Sequence, residues 1–462
     1  MLHFGGKGMK RRKEYNLCKL QTSCAHCANN EHCEAWENFV LQHNATKFYA
    51  HFDVRVSLAM PSIRNYVMNE DRITTHRFHP FIYFQKKQIR FGKEKKLRDL
   101  YYCSHLDRCV YQRYAFLINQ KYNQHVAQLG IEDVAIAYRS NLGKNNIDFA
   151  QTAFDYIREK GHCLVIVSDF TKFFDKLNHD YLKSMLCGLL EVDRLPSDYF
   201  AVFKNITHFS SWDWKDIVEQ SGHKITERGI RTILNKQEIL VSRETFRKNN
   251  KRFAQNKSGI GIPQGSPISA ILSNVYMLQA DKDINEYVAI NNGKYMRYSD
   301  DFLVILPYES ESKIHEHKNW VLSYFQEMNG LVEINEKKTF IHIYNNGTIA
   351  TFPKNTTSSL DYLGFVFDGL NVKLRPKTIS KYHYRMRRKA RHIGRRNWVS
   401  PQGKIISAKN LYKIYSSNGE QQTFIDYAKR AKDTLKLNDP EANAVIKHHK
   451  RKIAHAIKSG KG

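Results

Sequence analysis

Three aspartates carry the chemistry this sequence can offer. Asp300 and Asp301 stand side by side in KYMRYSDDFLVIL (294–306), where Met296, Tyr298 and Phe302 to Leu306 favour a pleated, largely buried surface. Burying an unpaired carboxylate is costly, and two neighbours also repel each other. Asp169 closes a second apolar, β-branched run, CLVIVSDF (163–170), which reads as a central strand. If that strand lies beside a 295–306 hairpin turned at Ser299–Asp300, all three carboxylates meet at one end of a sheet. They cannot all stay ionised there unaided, and divalent cations resolve the conflict. Mg²⁺ takes hard oxygen ligands and keeps positions for water and substrate phosphates. Two such ions, about 3.5–4 Å apart, would clamp the attacking and leaving oxygens of an in-line phosphoryl displacement, and Mn²⁺ suits the same ligands. A lone acid pair more often marks a solvated turn, but here both flanks are apolar strand.

The elements around these residues must form a sizeable fold. The chain has 462 residues, 42% of them hydrophobic, with 26 Tyr and 26 Phe, enough for a multi-lobed enzyme. Lys and Arg total 73 against 45 acids, a net charge of +28, which points to a partner of dense negative charge, nucleic acid above all. No run of 18 apolar residues is present and the N-terminus lacks an apolar signal region, so no membrane span, a cytoplasmic location and reduced cysteines are expected. Cys18, Cys24, Cys27 and Cys33 are spaced C-x5-C-x2-C-x5-C. That set could hold zinc or be four free thiols.

Helical spacing dominates 95–160, through Val110, Tyr114, Leu117 and Ile118 and through Ile147, Ala150, Phe154 and Ile157. An insertion is expected near 185–258. GIGIPQGSPISAILSNVYM (259–277) opens as a Gly/Pro loop, with Ser266 read as an N-cap and Pro267 as the first helical residue. A helix near 311–328 and a hairpin over 359–367 follow. Residues 371–399 hold eleven Lys and Arg, no acid, and interleaved Tyr and Trp. This is more charge than solvation needs, and Arg385, Arg387, Arg388, Lys389 and Arg391 are read as phosphate contacts on a basic helix.

These segments carry a family resemblance. RYSDDFLVI (297–305) resembles the YxDD box of reverse transcriptases. VSDFTKFFDKLNH (167–179) resembles their motif A, with bacterial form D-x-x-x-F-F-D-x-x-x-H. GIPQGSPISAILSN (261–274) resembles motif B, LVEINEKKTFI (331–341) motif D, DYLGF (361–365) the primer-grip motif E, and KKLRDLYYCSHLDR (95–108) the fingers segment. The six arrive in family order. AYRSNLGKNNIDFAQTAF (137–154) with motif A looks most like bacterial defence-associated, once "unknown-group", enzymes, which are related to group II intron and retron reverse transcriptases.

The resemblance implies an α+β right-hand polymerase: an extension at 1–50, fingers at 51–160, a palm with antiparallel sheet at 161–367, and a basic helical thumb and tail at 368–462. It implies that Asp169, Asp300, Asp301 and the Phe170 carbonyl hold two Mg²⁺ ions, that the Arg98 fork pairs with the incoming triphosphate, that Gln264 lies over the nucleotide, and that Lys338 is a general acid. Leu363 and Gly364 would support the primer end. The Phe174 ring would stand against the sugar C2′ and select dNTPs. Taken by themselves, Arg98 and Lys338 could be surface charges, Gln264 a loop cap, Gly364 a turn glycine and Phe174 a core residue. The implied partners are a noncoding RNA template, a DNA product and dNTPs, in anti-phage defence. Untemplated or protein-primed synthesis is an alternative, as is a non-catalytic RNA-binding maturase or scaffold, which three intact acids speak against.

Overall fold

Side-chain alternation along two strands organises the molecule. The computed structural model describes residues 34–88, 96–227, 229–328, 330–399, 403–417 and 423–460. In chain order its strands are β1 (Phe81–Gln88), β2 (Lys96–Tyr102), β3 (His162–Asp169), β4 (Ser210–Asp213), β5 (Ala254–Gln255), β6 (Lys294–Tyr298), β7 (Asp301–Pro307), β8 (Phe340–Asn345), β9 (Thr348–Thr351), β10 (Leu360–Tyr362), β11 (Phe365–Phe367) and β12 (Val372–Leu374). They form a four-stranded sheet β2–β1–β4–β5, a five-stranded antiparallel sheet β6–β7–β3–β8–β9 and a three-stranded sheet β10–β11–β12.

β3 is central in the five-stranded sheet, as its unbroken apolar run predicts. Side chains alternate faces along a strand. Leu164, Ile166, Phe302, Val304 and Leu306 enter one core. Cys163, Val165, Met296, Leu303 and Ile305 enter another on the opposite face. Burial on both faces explains why these strands lack polar alternation. The same parity puts Asp169 and Asp301 on the second face, which the β10–β12 sheet and the C-terminal helices cover further along.

The first core also holds the His105–Gln128 and Ser269–Tyr276 helices and the Glu34–His43 helix, whose Trp36 is fully buried with the Arg113 guanidinium 4.6 Å from its ring. Residues 34–50 thus pack into the body of the protein. The four cysteines considered for zinc lie outside the described residues. Helical spacing over 95–160 misreads its first turn: 96–102 is strand, paired with β1, and the helix starts only after Ser104, whose Oγ accepts from the Asp107 amide. The segment expected as an insertion adds β4 and β5 to the first sheet. β4 runs parallel to β1, and Trp212, Trp214, Ile217 and Leu234 close a third core with Ala50 and Ile82.

Ser266 is not an N-cap. The helix begins at Ser269, whose hydroxyl donates to the Pro263 carbonyl 2.8 Å away and holds the preceding loop folded back. The helix expected near 311–328 spans Glu311–Glu327. The Pro376–Arg395 helix turns Ile379, Tyr382, Met386, Ala390 and Ile393 into the second core at i, i+3/i+4 spacing and its cations outward. Among the described residues no helix is long and apolar enough to cross a membrane.

Candidate active site

β3 and β7 bring the acids together. Asp169 and Asp301 are direct cross-strand partners, so their Cα atoms stand about 5 Å apart. Asp300 occupies the two-residue turn between β6 and β7, and its carbonyl accepts the Phe170 amide at 3.0 Å, carrying the ladder one step beyond Asp169. The Asp169 carboxylate is nearly buried. One oxygen, Oδ1, has no hydrogen-bond partner, and the other is held by the Lys338 ammonium. The Asp301 carboxyl opens to solvent yet has protein packed closely around it. That crowding, and after it the Asp300 charge, push it up to about 6, with Arg375 pulling the other way.

A fully buried arginine supports the turn from below. Arg297 clasps Asp281 with two bonds, Nε to Oδ1 at 2.8 Å and Nη2 to Oδ2 at 2.6 Å, and both side chains are fully buried. Its Nη1 donates to the Ser299 carbonyl at 2.9 Å. Ser299 has φ +63, a conformation a serine holds only under constraint. The hydroxyls of Ser299 and Tyr138 lie 3.1 Å apart, and Tyr295 donates to Asp281 at 3.0 Å. The sequence reading passed over Arg297. Its signal was available: a cation inside an apolar strand, two residues before a turn, must have a buried partner.

Two loops wall this end of the sheet. Phe173 is buried against Phe170 and Tyr276, while Phe174 is only half-buried, at the margin of the same core with its ring edge-on to Phe173 at 5.6 Å. The Phe174 carbonyl accepts the Ile262 amide at 2.9 Å, which ties the 259–265 loop beside it. The Gln264 carbonyl accepts the Tyr101 amide of β2 at 3.0 Å. Gly265 is required there: its φ is +118, and a Cβ would stand 2.3 Å from the Tyr101 carbonyl oxygen. The side of β2 turned this way carries Asp99 and Tyr101. Tyr83 donates to Asp99 at 2.8 Å, and burial, then Asp99 and Asp175, raise the Tyr101 hydroxyl to about 12.

Arg98 stands on the other face of β2, exposed and opposite Lys86. There the two cations bear on Lys381 of the Pro376–Arg395 helix. Burial and then Arg385, Lys377, Lys86 and Arg98 push the Lys381 ammonium down from its ordinary value. Segments far apart in sequence thus face each other as like charges.

Leu363 and Gly364 form the turn between β10 and β11, with φ +46 and +98. Asn146 donates to the Leu363 carbonyl at 3.0 Å and the Arg375 amide to the Gly364 carbonyl at 3.0 Å, fixing this hairpin beside the acids. Arg385, Arg387, Arg388, Lys389 and Arg391 are all exposed on the basic helix, but not on one side of it.

Among the described residues, no group of three or more His, Cys, Asp and Glu side chains is gathered closely enough to hold a metal ion. Lys338 supplies the counter-charge to Asp169 instead. The donor set nevertheless suits a hard divalent cation: Asp169 Oδ1 is buried without a partner, and Asp301 resists ionisation beside Asp300.

Residues 198–367 match the reverse transcriptase (RNA-dependent DNA polymerase) family. The likeness is thus to a reverse transcriptase domain, over this segment of the chain. Such a domain is an RNA-directed DNA polymerase, a nucleotidyltransferase. The matched segment includes the 259–265 loop, Asp300 and Asp301, while Asp169 and Phe174 lie upstream of it. Among solved structures, telomerase from Candida albicans with a TWJ fragment of telomeric RNA is 12% identical, with 92% of this chain and 69% of that chain covered and a TM-score of 0.37. Apo telomerase from Candida tropicalis gives 11% identity, 92% and 71% coverage and a TM-score of 0.42. No curated protein matches the chain.

Proposed function

We propose that this protein extends a primer 3′-hydroxyl with dNTPs along an RNA template, with fingers, palm and thumb lobes arranged as a right hand. The observation that carries the reading is the cross-strand pair Asp169–Asp301 with Asp300 in the adjoining turn. Asp169, Asp300, Asp301 and the Phe170 carbonyl would hold two Mg²⁺ ions, which supply charge stabilisation at the attacking and leaving oxygens. The chain's own residues do the rest. Lys338, already on Asp169, delivers its Nζ proton toward the departing pyrophosphate. Phe174, anchored through its carbonyl to the 259–265 loop, presents its ring to the sugar C2′ and excludes a 2′-hydroxyl. Gln264 covers the nucleotide from the same loop. Leu363 and Gly364 seat the primer end. Arg98 pairs with the incoming triphosphate, and Lys86 beside it, with Lys377, Lys381 and Arg385 facing them, neutralises phosphates of the template–primer duplex.

The setting we propose is bacterial anti-phage defence in the cytoplasm, with a cognate noncoding RNA as template. It rests on the resemblance of 137–154 and 167–179 to defence-associated enzymes. The test is incorporation by the purified protein with Mg²⁺, dNTPs and its co-purifying RNA, followed by sequencing of the product. Complementary DNA that vanishes in Asp300→Asn and Asp301→Asn is expected. A homopolymer made after RNase treatment refutes templated synthesis, and undiminished synthesis by both variants refutes the site.

A further inference from the structure

The Pro376–Arg395 helix carries cations on two flanks, and only one flank belongs to the cleft. Residues two positions apart on an α-helix stand about 200° apart around its axis. Arg385 therefore points away from Arg387. Arg385 shares its row with Lys377 and Lys381 and lies toward Lys86 and Arg98. Arg387 shares the other row with His383, Arg391 and Arg395 and lies toward the Pro440–Lys458 helix. Two close backbone approaches fix that neighbour: a Cβ on Gly394 would stand 2.2 Å from the Ile457 carbonyl oxygen, and one on Gly460 2.7 Å from that of Arg391. Lys452 of the neighbouring helix and Arg387 both bear on His383, which is pushed down to about 4, chiefly by burial.

An open groove of about 740 Å³ runs along this flank, lined by His383, Tyr384, Arg387, Arg388, Arg391 and Arg395 among others. The helix contains no acid. Its neighbour has one, Glu441 in its first turn, and brings Lys452 to His383.

We propose that this outer flank is a second RNA-binding surface, which holds a stretch of the template RNA lying outside the copying cleft. The proposal rests on the polymerase reading for the identity of that RNA. Charge complementarity calls for a polyanion, and two features favour RNA. Tyr384, with the Arg388 guanidinium 5.6 Å from its ring, offers planar groups on which unpaired bases stack. The apolar row of the helix is spent in the core, which leaves no apolar face to enter a lipid surface.

The test uses the full-length protein and two substrates: a short blunt RNA–DNA duplex, and the same duplex with a long single-stranded RNA extension. The extended substrate binds more tightly, with a log K against log salt slope steeper by about 2, at ~0.7 per phosphate for three arginines. That gain shrinks roughly 20-fold between about 50 and 200 mM salt. Arg387→Gln/Arg391→Gln/Arg395→Gln loses the added slope and extends the short duplex at the wild-type rate. The corresponding triple Lys variant regains the slope, which separates charge from folding. The proposal is overturned if the Gln variant keeps the gain, or if its short-duplex synthesis falls in step with binding. It is also overturned if polyglutamate or phosphatidylserine vesicles displace the extension as well as free RNA does. Binding is read apart from synthesis, so a failed polymerase reading shows as no extension with the affinity gain intact.

Discussion

Arg297→Lys isolates the support beneath the Ser299–Asp300 turn. Lysine keeps the positive charge and can still meet Asp281, but a single ammonium cannot also span to the Ser299 carbonyl, where Nη1 now sits at 2.9 Å. A hydrogen bond from a charged donor contributes about 1.5–3 kcal/mol. Its loss falls on a turn whose serine already has φ +63. If the freed turn samples other conformations, the fraction with Asp300 aligned drops by that energy, and kcat drops about ten- to hundredfold. The dNTP KM stays near wild type, because Phe174 and Gln264 sit on two other segments. Asp281→Asn is the control. It leaves a buried guanidinium short of its counter-charge and costs about 3–5 kcal/mol of stability, so it fails in a thermal melt before it fails in an assay. The measurement is single-turnover dNTP incorporation alongside the melt. Arg297→Lys with a lowered melting temperature and an unchanged kcat would show that the arginine serves the fold alone and would refute the reasoning.

Other outcomes follow from the same geometry. Phe174→Val should lower discrimination against ribonucleotides at least about tenfold, about 1.4 kcal/mol, in a competitive incorporation assay. Unchanged discrimination removes the ring from the sugar site. Lys338→Ala should slow incorporation about 100-fold in the same single-turnover assay. For Asp301, whose carboxyl sits near 6, the raised value means that the metal-free fold favours the protonated form, so ionisation destabilises it as pH rises through 6. Asp301→Asn should therefore raise the melting temperature of the metal-free protein at pH 8, with the difference shrinking as pH falls from 6 toward 4. Added Mg²⁺ should stabilise the wild type more at pH 8 than at pH 5 and the variant little at either. Gly265→Ala should lift the loop from Tyr101 and raise the dNTP KM, since the added Cβ meets a carbonyl oxygen at 2.3 Å.

The strands of the five-stranded sheet were legible because both their faces are buried. An unbroken apolar run ending in an acid admits few other readings, and the β3–β7 register follows from it. The turn at Ser299–Asp300 and the hairpin over 360–367 were legible from their short spacing. What was hidden depends on contacts between distant segments. Nothing local in 96–102 distinguishes a strand from a first helical turn, since pairing with β1 decides it. Residues 210–255 read as an excursion because their partner strand lies more than a hundred positions upstream. Ser266 looked like a cap because Ser-Pro favours one, yet the hydroxyl at Ser269 found the Pro263 carbonyl. Arg297 was visible as an anomaly, but its partner Asp281 belongs to a separate helix. Which arginines share a flank of the basic helix follows from spacing, and which flank meets Lys86 and Arg98 does not.

The like-charged walls have one more consequence. Lys86 and Arg98 on β1 and β2 oppose Lys377, Lys381 and Arg385 on the Pro376–Arg395 helix, and without a polyanion between them that repulsion is uncompensated. Nucleic acid then acts as the missing counter-ion of the tertiary structure. Its binding there should draw these segments together and raise the melting temperature with the logarithm of its concentration, and salt should do weakly, by screening, what a duplex does strongly by contact.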